Sequence, residues 1–464
     1  MFKKIAYNTG INFIAKIIAT AMGFVAVIFM TRYLGALGFG QYTIIITYLQ
    51  FFGLISDMGL TLITSQMLAK YDDEQKIISN LFTFRLLSAL LFLGVAPITV
   101  VFMPYAMPIK IGVFIAVISF LFIALNQILI GFYQKHLLMV KASIGEICNR
   151  LVLVIGVIIA IKTNSGLQGI VVATTVAAIT QFLTNYVLSL PYIKIRLAFD
   201  MKVFKNIIKL AWPIAITITF NIIYLKADTL ILSFVKSENV VGLYGAAYRV
   251  IDILITLPFI LAGLALPQLT DAFKRGNQRH FKNIMQNSFD VMAIIALPLM
   301  TGAQFVATPL MRLLAGPDFF AAGPILRLLI FAAGAVYLGV IFSHAIIALE
   351  KQKQTIWAYV FVAITALIGY LIFIPKYSYF GAATVTIYSE TAIATLIFFI
   401  TYQYTKFVPN FIIVAKSLSA CATMALFLYL TNLNLVITLS LAVLIYVATF
   451  YILAKNNLQT MLKE

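Results

Sequence analysis

Apolar runs of about 20 residues, separated by short polar segments, follow one another along almost the whole chain. A helix of that length crosses the hydrocarbon core of a bilayer, because about 20 residues at roughly 1.5 Å each span about 30 Å. The pattern therefore predicts an all-α, polytopic integral membrane protein with about 14 transmembrane helices. The predicted spans are residues 9–31, 41–67, 77–103, 109–133, 137–161, 170–191, 211–235, 243–273, 283–314, 322–349, 352–374, 380–402, 411–430 and 433–454.

The composition supports a membrane protein and argues against a nucleic-acid partner. The chain has 464 residues, of which 62% are hydrophobic and 10% are charged, and its net charge is +18. Positive charge can serve nucleic-acid binding, but here the basic residues lie mainly in short loops between apolar runs. Placing the N-terminus in the cytoplasm puts most of these loop residues on the cytoplasmic side, as the positive-inside rule requires. We therefore expect both termini in the cytoplasm and no nucleic-acid partner.

The loop lengths and the reactive side chains argue against an enzyme. No loop exceeds roughly 20 residues, which leaves no room for a catalytic domain outside the membrane. Cys148 and Cys421 lie inside apolar runs, which argues against a disulfide or a metal site. His136, His280 and His344 form no cluster, and no Gly-x-x-x-x-Gly-Lys-Ser/Thr phosphate-binding loop occurs. We predict no catalytic residues, no metal and no cofactor.

A repeated motif divides the chain into two halves. Residues 39–42 (FGQY) and residues 241–244 (VGLY) stand 202 residues apart, each at the start of a predicted span. Such a spacing is typical of transporters built from two repeats, so we predict two pseudosymmetric six-helix lobes. The basic, amphipathic segment 199–209 is predicted to be an interfacial helix between them. The predicted domains are an N-terminal lobe at residues 1–195, a C-terminal lobe at residues 196–405 and two additional transmembrane helices at residues 406–464.

Two pairs of opposite charges inside the predicted spans can be neutralised within one helix. Glu146 and Arg150 are four residues apart, and Arg249 and Asp252 are three apart. Side chains at these spacings share a face of a helix and can form ion pairs. For these four residues, a structural ion pair and a functional role are both open.

Other charges in the spans have no opposite charge three or four residues away. A charge at the centre of a spanning helix costs at least ~2.5–3.5 kcal/mol, so each needs a partner or a water-filled cavity. One interpretation pairs them between helices, for example Asp57 with Lys16 or Arg85. The other places them around a hydrated cavity whose excess positive charge suits an anionic substrate, because burying many ion pairs in lipid is costly. The cations of this set are Lys16, Arg85 and Lys226, and the carboxylates are Asp57, Asp228, Asp290 and Glu390.

Several short motifs resemble those of a known transporter family. Residues 32–42 (RYLGALGFGQY) precede the second span, and residues 57–60 (DMGL) stand near its end. Further motifs of this kind are residues 226–228 (KAD), 241–249 (VGLYGAAYR), 314–319 (LAGPDF) and 324–326 (PIL). Over nearly its whole length the chain resembles Wzx-type O-antigen and polysaccharide repeat-unit flippases. These form the polysaccharide transporter branch of the multidrug/oligosaccharidyl-lipid/polysaccharide exporter superfamily.

This resemblance implies a flippase with a central cavity between its two lobes. Such a flippase moves an undecaprenyl-diphosphate-linked oligosaccharide from the cytoplasmic to the outer leaflet of the bacterial inner membrane by alternating access. Its product serves O-antigen and hence lipopolysaccharide biosynthesis, or another surface polysaccharide. The resemblance also implies antiport driven by an H⁺ or Na⁺ gradient. The implied partners are membrane lipids, a polysaccharide polymerase and a chain-length regulator.

The same resemblance gives roles to the intramembrane charges. The substrate carries a diphosphate, an anion that cations in a cavity can bind. The substrate-binding candidates are Lys16, Arg85 and Lys226, followed by Arg150 and Arg249. The ion-coupling candidates are Asp57 and Asp228, followed by Glu390 and Asp290.

Two other transporters of the same fold stay open as alternatives. A lipid II flippase carries a different glycan and is expected to have a similarly cationic site. A drug/cation antiporter of the same superfamily is expected to have an acidic or apolar cavity, which fits the unpaired cations poorly. A polytopic enzyme such as an O-antigen polymerase or ligase is expected to have a large periplasmic loop, which the short loops exclude.

Overall fold

The computed structural model of the chain is built from helices. Its backbone is described at residues 2–57, 59–71, 73–431 and 433–461. Its side chains are described at residues 15–57, 59–61, 63–64, 67–68, 70–71, 73–212, 226–431 and 433–455. Within these ranges no β-strand occurs. The prediction of an all-α polytopic membrane protein is confirmed.

Fourteen α-helices and two short 3-10 helices make up the described chain. The α-helices are α1 (Phe2–Asp57), α2 (Leu60–Lys70), α3 (Glu74–Val101), α4 (Met107–Lys135), α5 (Met139–Lys162), α6 (Gly166–Ser189), α7 (Met201–Val235), α8 (Glu238–Leu254), α9 (Thr256–Lys274), α10 (Gln278–Ala315), α11 (Ala322–Ala348), α12 (Ile356–Thr405), α13 (Ile412–Leu430) and α14 (Leu435–Met461). The 3-10 helices are Pro317–Phe319 and Gln352–Thr355.

Two of these helices are interrupted by a kink, and each contains two predicted spans. The backbone leaves helical geometry at Gly35 in α1 (φ 64°, ψ −177°) and at Ser378 in α12 (φ 55°, ψ −136°). A straight helix with the 56 residues of α1 would be about 84 Å long, far more than the ~30 Å of a hydrocarbon core. Glycine adopts a positive φ at little cost, whereas serine is strained there. The kinks therefore separate the first span from the second and the eleventh from the twelfth.

The number of spans agrees with the prediction, but two of them are broken. Within the described residues, 11 helices are long and apolar enough to cross a membrane. The two kinked helices hold two predicted spans each, and α7 covers the predicted span 211–235. The predicted span 41–67 is broken at Gly59 (φ 78°), between α1 and α2. The predicted span 243–273 is broken at Ile255, between α8 and α9.

The break between α8 and α9 has a local cause in Pro258. Proline has no backbone N–H, so Pro258 cannot donate to the carbonyl of Leu254 four residues earlier. The hydroxyl of Tyr337, on α11, donates to this carbonyl instead, at 2.8 Å. The interruption therefore leaves no unpaired carbonyl at Leu254.

Residues Met1–Gly242 form one compact unit. One core cluster of this unit joins α2, α3, α4 and α6 to the first turns of α7. Phe204 and Ile207 of α7 are buried in this cluster. The segment 199–209 is therefore not the separate interfacial helix that was predicted. Because its apolar face packs into a protein core, all but its first two residues form the beginning of α7.

Residues Leu243–Glu464 form the second compact unit. Among the spans whose side chains are described, α11 is the most buried. The C-terminal helices α13 and α14 pack against α10, where the Tyr446 hydroxyl donates to the carbonyl of Ile294 at 2.7 Å. The predicted six-span lobes and their boundary near residue 195 stay a prediction.

Within the first unit, α1 crosses the start of α8 at two glycines of the repeated motif. A Cβ atom on Gly40 would clash with the carbonyl oxygen of Glu238, and one on Gly242 would clash with that of Ala36. Gly242 stands 202 positions after Gly40, and Glu238 stands 202 positions after Ala36. Each glycine thus meets the carbonyl of the equivalent residue in the other repeat, and the contact is reciprocal. Gln41 Nε2 also donates to Glu238 Oε2 at 2.6 Å. Only glycine permits so close a backbone approach, and this reciprocity supports the internal repeat.

The link between α6 and α7 contains a non-helical segment, Lys194–Asp200, which we call the strap. Its alternate backbone N–H groups donate to polar side chains of α3, as alternate residues of an extended chain can. The acceptors are Gln75 Oε1 for Lys194 (3.2 Å), Ser79 Oγ for Arg196 (3.3 Å), Thr83 Oγ1 for Ala198 (2.9 Å) and Asn80 Oδ1 for Asp200 (2.7 Å). These bonds fix the strap along two turns of α3.

Asp200 ends the strap and caps α7. Its carboxylate accepts a hydrogen bond from the Lys202 N–H at 2.9 Å, as expected of an N-cap residue. It also pairs with Lys76 Nζ at 2.7 Å. The Lys76 bond first, and the backbone bond after it, lower the pKa of the Asp200 carboxyl. The strap is thus anchored at its C-terminal end by a charged contact as well as by backbone bonds.

Candidate substrate-binding site

Arg85 and Asp57 form a buried ion pair in the first unit. Arg85 Nη1 lies 2.7 Å from Asp57 Oδ1, and the two side chains are only 4% and 10% exposed. Arg85 also donates to the carbonyls of Ser56 (3.3 Å), near the end of α1, and Ala124 (3.1 Å) on α4. A cation is favourable at a helix C-terminus, whose unpaired carbonyls carry partial negative charge. Asp57 and Arg85 therefore pair between helices, and both side chains are buried in this conformation.

Arg150 is in a different environment. It lies on α5 and faces α1, where a Cβ atom built on Gly23 would be 3.2 Å from its Nη1. Its Nε is buried and has no hydrogen-bond partner in the described part of the chain. The ion pair with Glu146 that the sequence allowed is not formed, although both residues are described. Arg150 therefore keeps unused hydrogen-bonding capacity beside α1.

Lys16 lies on the same side of α1 as Gly23. The two residues are seven positions apart, which is two helical turns and about 10 Å along the axis. The Lys16 side chain is exposed, next to the buried Ala15, and it forms no ion pair with any described residue. The structure thus brings two predicted cations, Lys16 and Arg150, to one side of α1. We call this surface the cationic face of α1.

Lys226 and Asp228 lie in the C-terminal half of α7. Lys226 is half-buried, whereas Asp228 is 1% exposed and accepts a hydrogen bond from the Thr229 N–H at 2.5 Å. Residues two positions apart point to nearly opposite sides of a helix, a spacing that does not favour an intrahelical ion pair. Their predicted roles in substrate binding and ion coupling stay predictions.

In the second unit, Arg249 and Asp252 form the intrahelical pair that their spacing allowed. Arg249 Nη1 lies 3.7 Å from Asp252 Oδ2, and each side chain is about one third exposed. At this distance and exposure, solvent screens the attraction, and such pairs contribute little to stability. Arg249 could therefore leave Asp252 at low cost.

Two further predicted carboxylates also lie in the second unit. Asp290 is buried on α10 and accepts a hydrogen bond from Gln286 Nε2 at 2.9 Å. Gln286 also joins α10 to the segment before α13, because it donates to the Asn410 carbonyl at 3.0 Å. Glu390 is half-buried on α12. No described residue forms a salt bridge with Asp290.

A polar groove in the second unit was not predicted from the sequence. It is a cavity of about 320 Å³ between α9 and α10. Its polar lining comprises Gln268 on α9 and His280, Asn283, Asn287 and Ser288 on α10. On α10 the polar positions recur at spacings of three and four residues, which places them on one face of the helix. This polar stripe was the sequence signal from which the groove could have been predicted.

The fold and these sites define a class: a multi-pass, all-helical membrane protein with cationic side chains inside its spans. Within the described residues, no group of three or more His, Cys, Asp or Glu could hold a metal ion. The chain matches the model of the family described as "Polysaccharide biosynthesis protein" over residues 5–273. That match covers more than half of the chain, so the protein belongs to this family.

Individual relatives agree with the family. The "Probable flippase AglR" of Haloferax volcanii is 25% identical over 172 residues, which are 36% of either chain. The chain thus spans about a third of the length of this relative. The solved structure of the lipid II flippase MurJ in an inward closed conformation matches with a TM-score of 0.83 at 16% identity, over 96% of this chain and 99% of that one. An inward-facing multidrug resistance transporter of the MATE family and MOP superfamily matches with a TM-score of 0.70 at 14% identity, over 84% of this chain and 94% of that one.

These findings confirm the resemblance to polysaccharide flippases that the motifs indicated. The two solved structures share the fold of this chain. The matched proteins are flippases and transporters, which fits the prediction of a transporter rather than an enzyme.

Proposed function

We propose that this protein is a flippase for an undecaprenyl-diphosphate-linked oligosaccharide repeat unit. It carries this lipid from the cytoplasmic to the outer leaflet of the bacterial inner membrane by alternating access, for O-antigen or another surface polysaccharide. The family supports the proposal, as do the similarity to a probable flippase and the fold of MurJ. The single observation that carries it is the cationic face of α1, with Lys16 and Arg150.

A diphosphate group suits this face chemically. Arginine offers a planar set of N–H donors that matches phosphate oxygens, and lysine adds a point charge. A buried N–H without an acceptor costs ~1–3 kcal/mol, and a phosphate oxygen bound to Arg150 would remove that cost. We therefore assign the diphosphate first to Lys16 and Arg150. The remaining substrate-binding candidates are Lys226, Arg249 and Arg85, of which the last two are held by carboxylates in this conformation.

An H⁺ or Na⁺ gradient is the proposed energy source. Asp228 and Asp290 are buried carboxylates to which such an ion could bind, and Glu390 is a further candidate. Asp57 takes part only if its ion pair with Arg85 opens. Binding of the ion and of the anionic substrate would then alternate, because each changes the charge that the membrane interior must accommodate.

The proposal also sets the orientation and the partners. Both termini lie in the cytoplasm, so that the basic loops face the cytoplasm as the positive-inside rule requires. A polysaccharide polymerase and a chain-length regulator would act on the translocated lipid at the outer leaflet. No cofactor is needed for transport that an ion gradient drives.

A lipid II flippase is the second candidate. The fold of MurJ matches almost the whole chain, and lipid II presents the same kind of diphosphate group to a cationic site. At 16% identity this match concerns the fold, whereas the family model concerns polysaccharide biosynthesis. A drug/cation antiporter is disfavoured, because Lys16 and Arg150 would repel a cationic drug.

Deletion of the gene in its own host tests the proposed function. We expect viable cells that lack a surface polysaccharide and accumulate its lipid-linked repeat unit on the cytoplasmic leaflet. The wild-type gene should restore the polysaccharide, whereas Arg150→Ala at equal expression should restore little. Loss of viability with accumulation of lipid II would favour the second candidate. Normal polysaccharide together with normal lipid II would contradict both.

A further inference from the structure

The polar groove between α9 and α10 has hydrogen-bonding capacity that the protein leaves unused. The side chains of Gln268, Asn287 and Ser288 line it and form no hydrogen bond with any part of the chain that the structure describes. A polar group facing lipid hydrocarbon without a partner costs several kcal/mol. These groups therefore face water or a polar ligand.

The chemistry of the lining indicates which ligand fits. Among the 11 residues that line the groove there is no Asp, Glu, Lys or Arg. Apart from the imidazole of His280, its polar side chains are carboxamides and a hydroxyl, which carry no charge to favour an ionised phosphate or an ammonium group. Each carboxamide offers both donors and an acceptor, which matches neighbouring hydroxyl groups of a sugar. Leu264 and Val291 lie beside the carboxamides and offer apolar surface to the C–H groups of a sugar ring. The volume of about 320 Å³ falls in the range of small-molecule sites.

We propose that this groove binds neutral, hydroxyl-rich sugar residues of the lipid-linked substrate. The inference rests on the proposed function and deepens it, because it assigns the oligosaccharide to residues other than those assigned to the diphosphate. Gln268 and Asn287 are the principal contacts, from α9 and α10 respectively, and Ser288 is an additional one. The specificity for particular sugars would then be set in the second unit.

Binding of two lipids to the purified full-length protein in detergent tests this assignment. The first probe is bare undecaprenyl diphosphate. The second is the lipid-linked oligosaccharide pool extracted from the deletion strain. The variant is Gln268→Ala combined with Asn287→Ala. Its control is Gln354→Ala, which removes an exposed carboxamide of the same unit outside the groove.

We expect the double variant to bind the glycosylated lipid about 10-fold more weakly than wild type, because each lost hydrogen bond weakens binding roughly 2- to 13-fold. Its affinity for the bare diphosphate lipid should not change, and the control should bind both probes like wild type. If the double variant does not purify as a monodisperse protein, Asn287→Leu alone provides the same comparison. Equal effects on both probes, or no effect on either, would overturn the assignment. Failure of the wild-type protein to bind either probe would instead refute the proposed function.

Discussion

Single residues show how differently the fold treats charges inside the membrane. Arg85 has Asp57 and two backbone carbonyls as partners. Arg150 is held beside Gly23 with a buried Nε that no described residue satisfies. The sequence could identify both as unusual, because a charge in an apolar run is visible from composition alone. The sequence could not show that Arg85 is paired whereas Arg150 forms no salt bridge with any described residue, since the partner of Arg85 lies on another helix.

Removal of Arg85 should therefore reduce stability first. Arg85→Ala leaves Asp57 buried without its counter-charge, and breaking such a pair costs ~3–5 kcal/mol. Arg85→Ala combined with Asp57→Asn should be less destabilising than Arg85→Ala alone, because the asparagine carries no charge. Thermal unfolding of the purified protein measures both effects, with Lys16→Ala as the control that should melt like wild type. A stable Arg85→Ala variant that fails to bind undecaprenyl diphosphate would show instead that Arg85 is a ligand residue.

At the scale of secondary-structure elements, the strap depends on a match between the rise per turn of α3 and the spacing of alternate residues in an extended chain. Gln75, Ser79 and Thr83 stand one helical turn apart on α3, about 6 Å along its axis. Alternate residues of an extended chain stand about 6.6 Å apart, so each turn of α3 meets one N–H group of the strap. The sequence predicted an amphipathic helix over residues 199–209 and not the strap, because α3 lies far from it along the chain. Helical periodicity can be recognised from neighbouring residues, whereas the register of the strap against α3 depends on contacts between segments distant in the sequence.

Loss of the α3 hydroxyl groups should loosen the strap. Ser79→Ala combined with Thr83→Ala removes the acceptors for Arg196 and Ala198. We expect hydrogen–deuterium exchange of the strap peptide to rise about tenfold, because two net hydrogen bonds protect it from local opening. Thr395→Ala is the matched control, since that hydroxyl bonds only within its own helix. Unchanged exchange in the double variant would mean that other contacts hold the strap.

For the whole molecule, hydropathy was sufficient to predict the class and the number of spans. A helix that spans a bilayer must be long and apolar, so each span is visible in the sequence as a run of apolar residues. The break at Ile255 escaped prediction because apolar residues continue through it on both sides. The break at Gly59 was missed although polar residues, Ser56 and Asp57, stand just before it. The two compact units divide between Gly242 and Leu243, and the first turns of α7 pack in the core of the first unit. The repeated motif did predict related positions, and Gly40 and Gly242 meet in a reciprocal contact.

Transbilayer movement of the lipid-linked oligosaccharide in proteoliposomes tests the central claim most directly. The wild-type protein should move the lipid between leaflets. Arg150→Ala should slow this movement about 10- to 100-fold, because a charged hydrogen bond contributes ~1.5–3 kcal/mol. Arg150→Lys should retain part of the rate, since it keeps the charge but loses the planar donors. Arg196→Ala, which removes an exposed cation of the strap, should move the lipid at the wild-type rate. Movement by Arg150→Ala at the wild-type rate would contradict the account.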